Sequence, residues 1–399
     1  MTVNVLFVDD DPFVLQCLKR VFTLSCDDWN TEYASSGQDA IDAIARQHFD
    51  VIVSDMRMPG VDGTEVLQYA RIHQPDAIRL VLSGQAEHEA ILRAIGPAHQ
   101  FLSKPCAPDT VIAAITRAVS LRNRLHDDRL RTLIAGIDAI PSLTSNITAL
   151  IRKLENPSVG IPEIAKIVAQ DVGMTAKILQ FVNSPCLGLA DPVTNAEHAI
   201  AILGINQVRP FVLSAGVFAE CDGLGEWRYA AADLMRHSVQ VAVRARGIAA
   251  SEMHDPTQAD YAFLAGMLHD LGKLILMRYR AEPYRSAIRS SRESGLPMWQ
   301  TERTEVTADH AELGAYLLAL WGLPSPVVEA VLFHHHPTEI HSDGFTTALA
   351  VHAANAIEHR PRRAITSSLD LPELDYDYIS SSGFAERLES WIAIPSLAG

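Results

Sequence analysis

Over the first 121 residues, short apolar runs alternate with segments whose apolar positions recur every three or four residues. Val3–Val8, Val51–Ser54, Ile78–Leu82 and Gln100–Leu102 are short, rich in β-branched or aromatic residues and bounded by polar or turn residues, and they predict strands. Between them Phe13–Leu24, Gly37–Gln47, Thr64–Ile72 and His88–Ile95 carry helical spacing. Strands alternating with helices predict a parallel sheet covered on both faces. In such a sheet the loops at the carboxyl ends of the strands build the site.

The pattern changes after Pro105. Pro108 and Asp109 start a helix that Val111, Ile112, Ile115, Ala118, Val119 and Leu121 continue. The stretch Arg122–Arg131 is highly charged, and Leu133, Ile134 and Ile137 then resume an apolar stripe. This predicts a solvated helical connector, with pairing to its twin in a homodimer as the alternative. From there to about Arg360 helix-period segments dominate, one ended by an Asn183-Ser184-Pro185 breaker and another by a Leu203-Gly204 cap. The tail from Pro361 is acidic near Asp370–Asp377 and ends in a short amphipathic piece, Phe384–Ile394. The expected organisation is a first domain over residues 1–121, a connector over 122–138, a second domain over 139–360 and a tail over 361–399 packed on or extending it.

Composition narrows the function classes. At 399 residues the chain exceeds one ordinary core, and 48% hydrophobic with 20% charged residues is normal for a folded protein. The 33 Lys+Arg against 48 Asp+Glu give a net charge of -15, with no long basic run, which argues against binding to duplex DNA. The N-terminus lacks the features of a signal peptide, and no apolar run is long enough to span a bilayer. Cys17, Cys26, Cys106, Cys186 and Cys221 form no Cys-x-x-Cys pair, so reduced, mostly buried thiols in a cytoplasmic protein are expected.

The candidate chemistry lies after the strand-like runs. Asp9 and Asp10 follow the first, Asp55 follows Val51–Ser54, Ser83 follows Ile78–Leu82, and Lys104 comes just after Gln100–Leu102. A parallel sheet brings all of them to one edge. Three clustered carboxylates repel one another unless a hard divalent cation neutralises them, and Mg²⁺ suits carboxylate and phosphate oxygens. Lys104 and the Ser83 hydroxyl would meet phosphoryl oxygens opposite the metal. Phosphoryl transfer asks mainly for such positioning and charge stabilisation.

Four motifs stand in order: Val8-Asp9-Asp10-Asp11-Pro12, Ser54-Asp55-Met56-Arg57-Met58-Pro59-Gly60-Val61-Asp62-Gly63, Leu82-Ser83-Gly84 and Phe101-Leu102-Ser103-Lys104-Pro105. With them the first 120 or so residues resemble the receiver domains of bacterial two-component response regulators. The resemblance implies an α/β doubly wound, flavodoxin-like fold, with Asp55 as phosphoacceptor and a histidine kinase as donor. It implies Asp10 and Asp55 as direct Mg²⁺ ligands, the backbone carbonyl of Arg57 as a third, and Asp9 acting through water. It further implies a cis peptide before Pro105, and Ser83 and Phe101 as the pair that rearranges on phosphorylation.

Beyond the connector no helix-turn-helix is visible. The segments Ile140-Pro141-Ser142-Leu143, Ile161–Gln170, Asp171–Leu179 and Ala199–Gly204 resemble the HDOD output domain, and the likeness runs from about Ile137 to about Glu358. This implies an all-α, HD-related domain, kin to phosphohydrolases but usually short of part of their metal centre. Carried over residue by residue, the candidate ligands are His237, His269, Asp270, His310, His334 and His335. Imidazoles around a bridging carboxylate suit Fe, Mn or Zn, and a bound ion would activate water for attack on phosphorus. Asn355 stands where the enzyme pattern wants an aspartate, so the first position (His237, His269, Asp270) is expected to bind more weakly. The second (Asp270, His310, His334, His335) is complete, and Lys273, one turn from His269, is placed to hold a phosphate. The Gly-Tyr-Pro motif of relatives that cleave cyclic-di-GMP is absent; His341-Ser342-Asp343-Gly344-Phe345 stands nearby. The expected function is a phosphorylation-controlled response regulator whose HDOD domain is an interaction module for an unidentified downstream protein. The alternative is a receiver-regulated, metal-dependent phosphohydrolase acting on a phosphodiester or nucleotide signal.

Overall fold

The computed structural model describes residues 2–25, 29–83, 97–104, 107–137, 140–142, 150, 153, 159–183, 192–204, 218–220, 227–253, 255–340, 344–359, 371 and 373–395. Two compact units emerge. The first comprises Met1–Asp138 with Gln180–Pro192 and Tyr316–Leu323, and the second comprises Ala139–Leu179, Val193–Ala315 and Pro324–Gly399.

In the first unit β1 (Val3–Val8), α1 (Pro12–Ser25), β2 (Trp29–Ala34), α2 (Gly37–Arg46), β3 (Val51–Asp55), α3 (Gly63–His73), β4 (Ile78–Ser83), β5 (Gln100–Ser103) and α4 (Pro108–Arg124) follow one another. The strands form one five-stranded sheet in the order β2-β1-β3-β4-β5, every pair parallel. This is the doubly wound order, whose reversal point lies between β1 and β3. Leu6, Val8, Ile52 and Val81 are buried with Ala40, Ala43 and Ile44 of α2 and Val66, Leu67 and Ala70 of α3. Phe7 packs on Phe22 of α1 with ring centroids 4.6 Å apart. The four strand-like runs all form strands. The fifth strand, β2, was not visible as a run because it lies at the sheet edge: Ala34 is its one buried residue, and polar side chains occupy both faces. The helix expected over His88–Ile95 and the cis peptide expected before Pro105 lie outside the described residues.

The connector differs from expectation. Arg122 is buried, and its Nη2 meets Asp50 Oδ1 at 2.7 Å. Beyond it α5 (Asp128–Ala135) forms, and Leu125, Leu130, Ile134 and Ile137 are all buried. The segment is not a solvated linker, and most of the stripe offered for a twin helix is already covered. Its charged residues hid this, because Asp128 and Arg131 pair with each other on the exposed side while the apolar side is buried.

From residue 140 the chain is mostly helical. Its elements are α6 (Ile161–Val168), α7 (Val172–Val182), α8 (Ala196–Leu203), α9 (Arg228–Glu252), α10 (Pro256–Leu268), α11 (Leu271–Tyr279), α12 (Ala281–Ser294), α13 (Met298–Glu305), α14 (His310–Leu320), α15 (Ser325–Phe333), α16 (Thr347–Glu358), α17 (Tyr376–Ser381) and α18 (Leu388–Ala393). One short parallel pair, β6 (Ile140–Ser142) with β7 (Phe218–Glu220), interrupts the expected all-α pattern. Gly204 ends α8 with φ 72°, a conformation that favours glycine. The tail packs tightly: Trp391 of α18 is fully buried, its Nε1 donates to Glu252 Oε1 at 2.9 Å, and Arg244 Nη1 donates to the carbonyl of Trp391 at 3.2 Å. Of the thiols expected to be mostly buried, Cys17 is exposed on the outer face of α1, and the other four cysteines lie outside the described residues.

Candidate functional site

Strand register assembles the first site. Val8 pairs with Ser54, Asp55 with Leu82, and Ser83 with Ser103, so Asp9, Asp55, Ser83 and Lys104 share one sheet edge. Ligand oxygens of Asp9, Asp10 and Asp55 lie within 4.8 Å of one another. Lys104 Nζ donates to Asp9 Oδ2 at 2.7 Å and lies 2.6 Å from Asp55 Oδ1, so one ammonium bridges two buried carboxylates. Burial pushes the Asp55 carboxyl above its usual range, against the opposing hydrogen bond from Lys104. Burial also disfavours the charge of Lys104, but its bonds to Asp55 and Asp9 outweigh that and raise it.

The turn after β3 is shaped for this. Gly63 N–H donates to Met56 O at 3.1 Å, and a Cβ on Gly63 would stand 1.9 Å from the Asp55 carbonyl oxygen, so only glycine fits. Asp62 then caps α3 in a reciprocal box with Glu65. Arg57 lies two residues beyond Asp55 in this turn. The Ser83 and Phe101 side chains lie outside the described residues. The chemistry of the donor set fits a hard cation: three carboxylates with one balancing ammonium leave net negative charge.

The second site gathers histidines from α9, α10, α14, α15 and the turn that follows it. His237, His269 and Asp270 form one potential ligand group and His310, His334 and His335 another, each with its atoms within 4.8 Å. Asp270 links them, lying 3.4 Å from His269 Nε2 through Oδ2 and 3.2 Å from His310 Nε2 through Oδ1. Gly272 makes the approach: a Cβ there would lie 2.0 Å from the His310 carbonyl oxygen.

Second partners fix the rings. His269 Nδ1 donates to Gly266 O at 2.8 Å and His334 Nδ1 to Val331 O at 2.7 Å. Each Nε2 therefore carries a lone pair, and among the described residues these two buried nitrogens and Asp270 Oδ1 have no hydrogen-bond partner. Orphaned imidazole nitrogens converging on a carboxylate fit a transition metal. His237 Nε2 instead lies 2.9 Å from Asn355 Oδ1, and Lys273 Nζ donates to Asp270 Oδ2 at 2.9 Å. Burial drives His237 down to about 3 and His269 to about 4. Burial also opposes protonation of His310, yet the charge of Glu302, the neighbouring Asp270 carboxylate and the bond to Glu302 raise it to about 9. Asp270 is held well below the carboxylate range, its burial outweighed by His269 and Lys273.

The sequence did not reveal Glu302 or His352. Glu302 is fully buried and accepts from both Nδ1 (2.6 Å) and the backbone N–H (2.9 Å) of His310. His352 Nδ1 donates to His334 O at 2.7 Å, and its Nε2 accepts from Asp375 N–H at 2.9 Å. Glu302 sits in the polar run Met298–Glu305, which gives no periodic hint that one member faces inward.

With both sites described, comparison with known proteins defines the class. The response regulator receiver domain family matches residues 5–116, and the HDOD domain family matches residues 140–337. The chain carries a response regulator receiver domain followed by an HDOD domain, and its homologues include response regulators. An uncharacterized protein of Treponema pallidum is 27% identical over 226 residues, 56% of this chain and 43% of that protein. Response regulator MprA of Mycobacterium ulcerans is 34% identical over 136 residues, 34% of this chain and 57% of its own length. The chain thus spans less than two thirds of these relatives. Among solved structures, the MmoQ response regulator of Methylococcus capsulatus is 24% identical with a TM-score of 0.48, covering 64% of this chain and 98% of that one. Receiver domains take their phosphoryl group from a histidine kinase and generally bind Mg²⁺, and HD-type domains bind divalent metals. No helix among the described residues is long and apolar enough to cross a membrane.

Proposed function

We propose that Asp55 accepts the phosphoryl group and that its modification changes the surface which the HDOD domain offers to a partner protein. The observation that carries this is the Lys104 ammonium bridging Asp9 and Asp55 at 2.7 and 2.6 Å where β1, β3 and β5 end. Asp55 Oδ attacks phosphorus, the bond to the donor nitrogen breaks, and Lys104 turns from the carboxylates to a phosphoryl oxygen. Asp9, Asp10, Asp55 and the Arg57 carbonyl would hold Mg²⁺, which supplies neutralisation of the clustered carboxylates. Ser83 and Phe101 are the residues we assign to sensing the phosphoryl group. In this reading residues 1–121 receive the signal, 122–138 pass it on, and 139–360 with the packed tail deliver it. Acetyl phosphate with Mg²⁺ should label the wild type and leave Asp55→Ala unlabelled; labelling that survives the substitution overturns the assignment. Partner capture with labelled and unlabelled protein then tests the output role.

One observation favours a second reading, a metal-dependent phosphohydrolase: the buried nitrogens His269 Nε2 and His334 Nε2 and Asp270 Oδ1 lack partners among the described residues. Fe, Mn or Zn held there would supply activation of water. Lys273, bonded to Asp270, balances that carboxylate rather than standing free for phosphate. Phosphodiester turnover lost in Asp270→Ala would support this reading, and a purified protein free of stoichiometric metal would end it.

A further inference from the structure

We infer that the histidine cluster holds one divalent ion and not two, in the half formed by His310, His334, His335 and Asp270, with Glu302 as the positioning residue for His310. This rests on the metal-dependent reading of the site.

The two halves differ in what their donor atoms already do. In the His237 half, His237 Nε2 is engaged with Asn355 Oδ1 at 2.9 Å, and the facing Asp270 oxygen, Oδ2, is bonded to the Lys273 ammonium at 2.9 Å. His269 Nε2 is the one orphaned donor left there, and a lone imidazole beside an ammonium is no cation site. The Lys273 side chain is only 13% exposed, so its charge is poorly screened by water.

In the other half the donor atoms contact one another, and an ion would replace those contacts. His335 Nε2 stands 3.0 Å from His310 Nε2, and Asp270 Oδ1 stands 3.2 Å from the same nitrogen. Ligand atoms about 2.0–2.2 Å from a tetrahedral ion are separated by roughly 3.4 Å, so these spacings need little change. His334 offers the third nitrogen, its ligand atom within 4.8 Å of those of His310 and His335, and Asp270 Oδ1 joins the group through its 3.2 Å approach to His310 Nε2. Glu302 Oε2 takes both donors on the far side of His310, which fixes the ring and aims Nε2 inward.

Charge gives the same answer. Asp270 and Glu302 supply two negative charges and Lys273 one positive. One divalent ion leaves a single uncompensated charge, whereas a second leaves three in a buried site.

The test loads the full-length protein with Co²⁺, whose visible absorption reports coordination, and measures metal per chain by mass spectrometry. Wild type and His237→Ala should each take one ion with a four-coordinate spectrum, and His334→Ala none. Lys273→Met combined with Asn355→Asp should take two. Glu302→Gln should weaken Co²⁺ affinity about 10–100-fold, with Glu302→Asp recovering part of it and the metal-free unfolding midpoint showing each variant folded. Two ions in the wild type, or loss of the ion in His237→Ala, overturn the single-ion assignment. Unchanged affinity in Glu302→Gln removes Glu302 from it. No ion at all in the wild type sinks the underlying metal reading, a separate outcome. Should Glu302→Gln fail to fold, the counts for wild type and His237→Ala still decide the number of ions.

Discussion

Arg79 Nη2 donates to the carbonyl oxygen of Ala135 at 2.9 Å, tying the last turn of α5 to β4. His99 reaches the same oxygen through Nε2 at 2.7 Å. Arg79 is 1% exposed, and its other donors serve Pro97 O at 2.6 Å and Ala77 O at 3.0 Å. A guanidinium at a helix C-terminus satisfies orphan carbonyls and complements the helix dipole. The connector is thus fastened to the strand whose other end carries Ser83.

Arg79→Ala would leave several carbonyls buried without donors. The expected loss is about 3–5 kcal/mol of unfolding free energy. Urea denaturation checks the size, and hydrogen exchange should show amides of residues 128–137 losing protection first. An unchanged midpoint with intact protection contradicts the fastening role.

His99 gives a pH dependence with a definite sign. Burial, reinforced by the Arg79 charge, holds the imidazole well below its usual range, and Nδ1 accepts from Arg79 N–H at 3.0 Å. The folded state keeps His99 neutral, while the unfolded state takes a proton near pH 6.5. The stability it contributes is therefore present above about pH 6.5 and falls by up to about 1.4 kcal/mol per pH unit below it. His237, His269, His334, His335 and His352 are shifted the same way and His310 the opposite way, so the measurement is the difference between wild type and His99→Gln, which should shrink as pH falls from about 7 to about 5. A pH-independent difference would show that His99 has the same proton affinity folded and unfolded, which contradicts the neutral buried imidazole.

Two glycines separate space from backbone conformation. Gly63→Ala would drive a methyl group to within 1.9 Å of the Asp55 carbonyl, so acetyl phosphate labelling should drop at least tenfold, about 1.4 kcal/mol in barrier. Gly60 has φ +81° and nothing near its missing Cβ, so Gly60→Ala should cost about 1–2 kcal/mol of stability and leave labelling intact. Equal labelling in the two variants contradicts the close-approach account.

Trp391→Ala tests the tail. The ring is fully buried, packs edge-on against Phe345 at 5.7 Å and donates to Glu252. We expect a loss of about 3–5 kcal/mol, read as a lower thermal midpoint. If the midpoint holds, residues 388–393 contribute no stability.

The chain's motifs and its alternation of strands and helices carried the receiver reading, because Asp9, Asp55 and Lys104 each lie in a short local signature at a strand end. A parallel sheet then brings such ends together almost regardless of detail. The histidine ligand candidates were legible for the same reason, His269-Asp270 and His334-His335 being adjacent in sequence. What only the tertiary structure decided is how each donor atom is used: Asn355 and Lys273 engage one half of the cluster, and Glu302 orients His310. It also decided that the connector is buried at Arg122, Leu130 and Ile134, and that β2 is a strand. These pairings join residues far apart in the chain, and packing sets them. Periodicity reports only which face of an element is apolar, so a buried carboxylate on a polar helix and a mixed strand at a sheet edge leave no mark in it.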